Sequence, residues 1–314
     1  MSNDINIDSK IYIAGHNGMV GSACLRALEA KGYKNIIGFN SKELDLRNQK
    51  DVFEMLEKER PEAIIDAAAK VGGILANFKY PYEFLMDNML IQNNLIKAAH
   101  ELDIPKFIFL GSSCIYPKMA PQPLREEDLL TGPLEETNQW YAISKISGVK
   151  LIESLREQYN RDYISLMPTN LYGPGDNYDL ETSHVLPAML RKFLEAKENN
   201  HADVMLWGTG TPKREFLHVD DLADAILFVL EKKLEKSFYN IGSGEEISIN
   251  ELAYLIQEMV GHKGKIIWDN SKPDGTPRKL LNIDLFLKLG WAPKISLTQG
   301  IYKTISEILN RNLL

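Results

Sequence analysis

Residues 11–21 read IYIAGHNGMVG, a short apolar run followed directly by three glycines with GxxGxxG spacing. The run Ile11–Ala14 predicts a strand, and the apolar face of Met19–Ala30 predicts a helix. Between them, glycine permits a tight turn and lets backbone amides approach a pyrophosphate, which the amino end of a helix also attracts. The stretch therefore predicts the phosphate-binding turn of an α/β fold.

The alternation of apolar runs with amphipathic stretches continues to about residue 170. It predicts strands at Ile36–Phe39, Ala63–Ala69 and Lys106–Leu110, with helices at Val52–Glu59 and Tyr82–Glu101. Strands that alternate with helices pair in parallel, so we expect a doubly wound parallel sheet of the Rossmann type.

Beyond Asn170 the alternation loosens, and glycine and proline cluster in loops. We expect a smaller, mixed α/β lobe there, with a helix capped by Asp220 or Asp221. The predicted elements of this lobe are helices at His184–Lys197 and Ile249–Val260 and strands at Val204–Trp207 and Lys265–Trp268. The predicted domains are a dinucleotide-binding Rossmann domain at 1–170, with a return of the chain around 216–242, and a substrate-binding domain at 171–215 and 243–314.

Composition limits the class of protein. The 314 residues are 44% hydrophobic and 25% charged, the balance of a soluble globular chain, and no apolar run reaches the ~20 residues of a membrane span. The net charge of −7 argues against a nucleic-acid binder. Cys24 and Cys114 make no disulfide framework, no CxxC or HExxH predicts a metal site, and no secretory signal is visible. We therefore expect a cytoplasmic enzyme without a metal.

A serine, a tyrosine and a lysine form a candidate catalytic set. Tyr141 and Lys145 lie four residues apart, on one face of a helix. A neighbouring ammonium favours the phenolate, and a positioned phenol can protonate an alkoxide formed by hydride addition. Ser112 and Ser113 follow the strand Lys106–Leu110, at the sheet edge where open α/β sheets bind ligands. Either hydroxyl is placed to hydrogen-bond a substrate carbonyl.

Six sequence words together resemble one family of extended short-chain dehydrogenases/reductases, the GDP-L-fucose synthases. The words are GHNGMVGS (15–22), AAAKVGGI (67–74), GSSCIYPK (111–118), MPTNLYGP (167–174), REFLHVDD (214–221) and SKPDGTPRKLL (271–281). The likeness extends from Ile11 past Trp291. It implies a Rossmann domain, a smaller substrate domain and usually a homodimer, and it favours Ser112, four residues before Tyr116, as the catalytic serine.

The resemblance implies conversion of GDP-4-keto-6-deoxy-D-mannose to GDP-L-fucose by C3/C5 epimerisation and NADPH-dependent reduction at C4. A ketone at C4 acidifies the hydrogens on C3 and C5, so epimerisation needs a base and an acid on opposite faces. At the matched positions the family has a catalytic cysteine and histidine, here Cys114 and His184. Ser112, Tyr141 and Lys145 would serve the reduction.

Three other functions remain open at this point. One is a C4-reductase of a related GDP-4-keto-6-deoxy sugar, such as a heptose, with little or no epimerase activity. An NAD-dependent epimerase that recycles its cofactor is disfavoured because no acid follows the second strand. A non-catalytic dinucleotide sensor is disfavoured by the complete Ser–Tyr–Lys set.

The cofactor is expected to be NADP(H) rather than NAD(H). Residues 38–42, GFNSK, offer no acid for a ribose hydroxyl, whereas Lys42 could meet a phosphate or simply be a solvated lysine. The family has an arginine where this chain has Asn17, and a second near Ser41 is also replaced. The predicted cofactor-binding residues are Gly15, Asn17, Gly18, Met19, Val20, Gly21, Lys42, Ala68, Leu110, Gly111, Ser112, Tyr141, Lys145, Pro168, Asn170, Leu171 and His184.

A GDP-linked 4-keto sugar needs cations for its diphosphate and an aromatic face for its base or sugar. The predicted substrate-binding residues are Ser113, Cys114, Asn170, Lys192, Trp207, Arg214, Asp274 and Arg278. His218 is expected to be structural and Cys24 to be part of the core.

Overall fold

The computed structural model describes residues 5–200, 202–272, 274–311 and 313. Its strands are β1 (Ile11–Ala14), β2 (Ile36–Ile37), β3 (Ala63–Asp66), β4 (Lys106–Leu110), β5 (Asp162–Pro168), β6 (Asn170–Tyr172), β7 (Asp203–Trp207), β8 (Lys213–His218), β9 (Phe238–Ile241), β10 (Glu246–Ser248), β11 (Lys265–Asp269) and β12 (Arg278–Lys279). Its α-helices are α1 (Met19–Lys31), α2 (Gln49–Glu59), α3 (Ile74–Lys79), α4 (Pro81–Glu101), α5 (Gln139–Tyr159), α6 (Val185–Glu198), α7 (Val219–Leu230), α8 (Ile249–Val260), α9 (Asp284–Lys288) and α10 (Leu297–Arg311). None of the helices in these ranges is long and apolar enough to cross a bilayer.

The main sheet of the described chain has six parallel strands in the order β2-β1-β3-β4-β5-β9. All residues of β1, β3 and β4 are buried, as expected for strands covered by helices on both faces. The order of the strands reverses between β1 and β3, and an open α/β sheet has its ligand crevice at such a point. The predicted doubly wound fold is confirmed.

Side chains alternate between the two faces of the sheet and build two apolar layers. Ile11 and Ile13 of β1 belong to the layer that also contains buried residues of α1 and α7. Tyr12 and Ala14 belong to the opposite layer, under α2, α4 and α5. The period of two along each strand thus fixes which helices cover which face.

The remaining strands form a smaller mixed region around a third apolar core. β8 pairs with β6, β10 and β12, and β7 pairs in parallel with β11. Buried side chains of α6, α8 and α10 fill this core. After β8 the chain passes through α7 and adds β9 to the edge of the main sheet.

Several element boundaries differ from those predicted. The predicted strands Ile36–Phe39 and Ala63–Ala69 end early, at Ile37 and Asp66. The β3 ladder stops at Asp66 because its partner β1 ends at Ala14, whose carbonyl accepts a last hydrogen bond from the Ala67 N–H at 3.1 Å. The cap of α7 is neither Asp220 nor Asp221. His218 caps the helix instead, with Nδ1 accepting the Asp220 N–H at 3.2 Å, and the aspartates lie in the first turn.

Candidate active site

The glycine turn forms a backbone cradle at the switch point of the sheet. Gly15 has φ +77°, and a Cβ there would lie 2.9 Å from the Ala67 carbonyl oxygen on the neighbouring strand end. A side chain at Gly21 would overlap the Gly15 backbone. Gly18 precedes α1, whose first turn has neither a side-chain cap nor an acid among the described residues. The amino end of α1 therefore remains available to an anion, which fits the pyrophosphate of a dinucleotide.

The residues predicted to contact the adenosine phosphate of the cofactor, Asn17 and Lys42, lie in the turns that follow β1 and β2. The His16 ring packs so closely on Gly38 that a Cβ there would collide with it. Asn17 and Lys42 are exposed, and the backbone N–H of Lys42 donates to Asn40 Oδ1 at 2.9 Å. The glycine turn thus offers the Asn17 amide to solvent, and the turn after β2 offers the Lys42 ammonium. Residues 38–42 carry no carboxylate, but that of Glu43 accepts the Asn40 N–H at 2.9 Å.

The Ser–Tyr–Lys set converges at the carboxyl end of β4. Lys145 Nζ donates to the Leu110 carbonyl at 2.8 Å and lies 5.9 Å from the centroid of the Tyr141 ring. Ser112 Oγ accepts both the backbone N–H of Cys114 at 3.3 Å and its thiol at 3.1 Å. Ser113 is buried, whereas the Ser112 side chain is partly open to the cleft. Ser113, although buried, lines the cavity beside Cys114 and Lys279. Exposure favours Ser112 and the cavity lining favours Ser113, so the choice of Ser112 stays a prediction.

Burial drives the ionisable groups of this cleft toward their neutral forms. Desolvation raises the pKa of Tyr141 above its usual range, and a negative charge on Cys114 would raise it further. The expected lowering by Lys145 is not found, so the free site holds a neutral phenol that can donate a proton. Desolvation also lowers the pKa of Lys145, against the opposing effects of Asp66 and Cys114.

Cys114 and His184 are both influenced by the charge of Lys279. Burial raises the pKa of the Cys114 thiol, although Lys279, Ser112 and Lys145 favour the thiolate. His184 precedes α6 and is open to solvent on one side, yet desolvation lowers the pKa of its imidazole and the charge of Lys279 lowers it further. The resting pair is therefore a thiol and a neutral imidazole.

Other predicted cofactor residues lie along the same edge of the sheet. Pro168 ends β5, and Asn170 and Leu171 belong to β6, directly beyond it. Asn170 Nδ2 donates to the Glu215 carbonyl at 2.7 Å, which fixes the orientation of its amide. The side chain of Asn170 is half-buried at the junction between the two regions.

The predicted substrate residues form two groups in the smaller region. Trp207 is 46% exposed, with the ammonium groups of Lys192 and Lys272 at 5.7 Å and 5.6 Å from its ring centroid. Arg214 donates to the Asp274 carbonyl at 3.4 Å. The Asp274 carboxylate is already bound by the backbone N–H and hydroxyl of Thr209, at 2.7 Å and 2.8 Å, so it closes a loop.

Arg278 is likewise engaged, since its Nε contacts Glu246 at 2.6 Å. Its neighbour Lys279 pairs in register with Arg214 on β8 and influences both Cys114 and His184 electrostatically. Lys279 was missed by the sequence reasoning, although it lies within the word SKPDGTPRKLL. Three lysines and two arginines of the smaller region thus carry positive charge on a chain whose net charge is negative.

Fold and site together define an α/β dinucleotide-binding protein with a Ser–Tyr–Lys set at the ends of its strands. The sequence model of the NAD dependent epimerase/dehydratase family matches residues 11–242. GDP-L-fucose synthase 1 of Arabidopsis thaliana is 54% identical, covering 96% of this chain and 95% of its own. GDP-L-fucose synthase of Escherichia coli (strain K12) is 51% identical, covering 96% of each chain.

Solved structures agree with the same grouping. A GDP-L-fucose synthetase from Naegleria fowleri bound to NADP superimposes with a TM-score of 0.90 at 28% identity, over 99% of this chain and 98% of that one. A GDP-mannoheptose C4 reductase from Campylobacter jejuni with NADP bound gives 0.90 at 35% identity, over 97% and 99%. The chain belongs to the NAD dependent epimerase/dehydratase family, and its predicted likeness to the GDP-L-fucose synthases is confirmed.

The raised pKa of Cys114 predicts slow alkylation at neutral pH. Reaction with iodoacetamide, followed by mass spectrometry, should accelerate toward pH 9 and above because only the thiolate reacts. Ser112→Ala should slow it further at a given pH, by up to about tenfold, because the hydroxyl no longer stabilises the thiolate. Cys24 is fully buried and should stay unlabelled. A maximal rate already at pH 7 would contradict this environment.

Proposed function

We propose that this protein is an NADPH-dependent epimerase/reductase that converts GDP-4-keto-6-deoxy-D-mannose to GDP-L-fucose. The observation that carries the proposal is the 3.1 Å contact between Cys114 and Ser112, in the cleft where Tyr141 and Lys145 converge. A thiol that can exchange protons at C3 and C5 therefore lies in the same cleft as the residues that can assist reduction at C4, so both reactions can act on one bound sugar. Relatives named GDP-L-fucose synthase, 51% and 54% identical to this chain, support the same substrate.

The backbone cradle of Gly15, Gly18 and Gly21 suits the pyrophosphate of NADP(H). Lys145, which uses one of its three donors on the Leu110 carbonyl, is the proposed donor to the ribose hydroxyls. Bound NADPH supplies the hydride for C4. Lys42 and Asn17 are the proposed contacts of the adenosine phosphate, an ammonium and an amide in place of two arginines.

Epimerisation is assigned to Cys114 and His184. The base and the acid that inversion needs are a thiolate and an imidazolium, which form from the resting thiol and neutral imidazole when the thiol releases a proton to solvent and the imidazole takes one up. The thiolate removes a proton from C3 or C5 as the C4 oxygen takes up enolate charge. The imidazolium returns a proton to the opposite face of that carbon. Lys279 favours the thiolate through its positive charge.

Reduction is assigned to Ser112, Tyr141 and Lys145. The Ser112 hydroxyl donates a hydrogen bond to the C4 oxygen and fixes its position. The neutral Tyr141 phenol protonates that oxygen as it becomes an alkoxide, and the Lys145 ammonium nearby stabilises the phenolate left behind.

The GDP-linked sugar is proposed to lie between the Rossmann domain (1–170, with 216–242) and the substrate domain (171–215 and 243–314). The Trp207 face suits the guanine base, and the charges of Lys192 and Arg214 suit the diphosphate. The remaining proposed contacts are Ser113, Cys114, Asn170, Asp274, Lys279 and Arg278.

The alternative of a C4-reductase acting on a heptose is not favoured. The heptose reductase described above is 35% identical to this chain, against 51% and 54% for the two GDP-L-fucose synthases. Retention of both Cys114 and His184 also supports epimerisation.

A cytoplasmic location is proposed as well. It is supported by the chemistry assigned to Cys114, which needs a reduced thiol, and by two cysteines that stay unpaired. A reducing compartment maintains both conditions.

The activity is tested by incubating the purified protein with GDP-4-keto-6-deoxy-D-mannose and NADPH and identifying the product by NMR. Tyr141→Phe should lower kcat by about 100-fold or more because the proton donor is lost. Cys114→Ser should abolish solvent-deuterium incorporation at C3 and C5 while some direct C4 reduction remains. Cys24→Ala is the matched control, because Cys24 lies in the apolar core away from the cleft, and it should keep wild-type deuterium exchange. Unchanged deuterium exchange in Cys114→Ser would remove Cys114 from the mechanism.

Cofactor preference follows from the turn after β2. We expect kcat/KM to be higher with NADPH than with NADH, and Lys42→Ala should reduce the NADPH value by about tenfold, the effect of one charged contact to phosphate. The NADH value should stay unchanged in the same variant. A clear wild-type preference for NADH would overturn the assignment.

We also propose a homodimer formed through α4 and α5. These helices pack side by side and expose Tyr82, Met86 and Leu90 along one stripe of α4, with Trp140 and Ile143 on α5. A second copy of the same face would cover this apolar surface, because a two-fold interface is self-complementary. Sedimentation should give twice the 35.6 kDa chain mass, and Met86→Glu with Leu90→Glu should give the monomer mass. Tyr302→Glu, on the exposed face of α10, is the control and should leave the mass unchanged.

A further inference from the structure

Asp66 is a buried carboxylate to which the proposed mechanism assigns no role. It is the single polar residue in the run AIIDAAA (63–69), and only 1% of it is exposed. One carboxylate oxygen accepts the Ala68 N–H at 3.2 Å. The other, Oδ2, is buried without a hydrogen-bond partner among the described residues. An unpartnered buried carboxylate oxygen is costly, so it calls for a partner of another kind.

The register of the sheet brings an ammonium into the same layer as Asp66, near enough to act on it electrostatically but not to form a hydrogen bond with Oδ2. Asp66 pairs with Phe109 on β4, and paired residues of neighbouring parallel strands point to the same face. The Lys145 ammonium lies 4.7 Å from the centroid of the Phe109 ring on that face. Carboxylate and ammonium therefore occupy one layer between the sheet and α5.

The two groups influence each other in the expected directions. Burial raises the pKa of Asp66 to about 6, and Lys145 is the first group that opposes this rise. Burial lowers the pKa of Lys145, and Asp66 is the first group that opposes that fall. Within the described part of the chain, Lys145 donates one hydrogen bond, to the Leu110 carbonyl, whereas an ammonium has three donors to satisfy.

We propose that Asp66 is a positioning residue, the buried counter-ion that keeps Lys145 in its ammonium form beside Tyr141. The proposal rests on the function assigned above to Lys145. Asp66 acts through Lys145 and does not touch the substrate. Above pH 6 the carboxylate is ionised and offsets the desolvation of the ammonium; removing it should let Lys145 lose its proton at lower pH.

Charged and titratable groups face this pair from each packed element. Tyr12 on β1 lies near Asp66, and burial, with Asp66 adding to it, raises the pKa of that phenol beyond the working range. Cys114 after β4 acts on Lys145, and Tyr141 lies one turn before it on α5. Tyr12 and Tyr141 both stay neutral near pH 7, so Asp66 is the group among them that ionises there.

The direct test is an NMR titration of lysine-¹³C protein without substrate or cofactor. The Lys145 resonance is identified by its loss in Lys145→Arg. In wild type it should show an inflection near pH 6 as Asp66 gains its proton. In Asp66→Asn, a near-isosteric change, the pKa of Lys145 should fall by about one unit or more. A wild-type titration without the inflection, or an unchanged pKa in the variant, would overturn the proposal.

Kinetics supply the second readout. In Asp66→Asn the high-pH limb of the kcat profile should move to lower pH by the same shift, with KM for the sugar little changed. The matched control is Asp162→Asn, which removes the counter-ion 2.8 Å from buried Lys106 at the opposite end of β4. It should leave the limb in place. If the pKa of Lys145 falls in Asp66→Asn but the wild-type protein is inactive on the GDP-sugar, the proposed function alone is refuted. If the wild-type protein is active but the pKa of Lys145 is the same in Asp66→Asn, the role of Asp66 alone is refuted.

Discussion

The hydrogen bond from Lys145 to the Leu110 carbonyl links the two elements on which the site depends. It ties α5, which carries Tyr141, to the end of β4, beyond which Ser112 and Cys114 lie. A buried ammonium is stable only where acceptors and negative charge surround it, so the position of the helix over the strand end is closely specified. Tyr141 lies one helical turn before Lys145 on α5. The hydrogen bond between Lys145 and Leu110 therefore also helps to fix the position of the Tyr141 phenol in the cleft.

Low solvent access then decides the protonation states. Desolvation raises the pKa of Tyr141 and Cys114 and lowers that of Lys145 and His184, so each group is driven toward its uncharged form. Proton exchange with a sugar needs groups that can change charge at little cost. Lys279 acts on the two groups in different ways. Its positive charge favours the charged form of Cys114, the thiolate, and disfavours the charged form of His184, the imidazolium.

Local sequence patterns predicted the elements whose cause is local. Ile11–Ala14 and Lys106–Leu110 agree with the predicted bounds to the residue, because a short apolar core (IYIA, FIFL) between helical stretches is typical of a buried strand in an alternating fold. The run Ala63–Ala69 does not show that β3 ends at Asp66, because that end is fixed by the end of its partner strand β1 at Ala14, a distant segment. The His218 cap was missed because histidine is an unusual acceptor at that position.

The sequence by itself determined the glycine turn, the Tyr141–Lys145 spacing and the strand-end hydroxyls, because each depends on residues a few positions apart. Tertiary structure alone decided that Lys279 reaches the cleft of Cys114, and that Asp66 shares a layer with Lys145. These neighbours depend on strand order, register and burial, which arise from pairings between distant segments. No local pattern encodes them, because the free energy of burying a charge depends on what the rest of the fold places beside it.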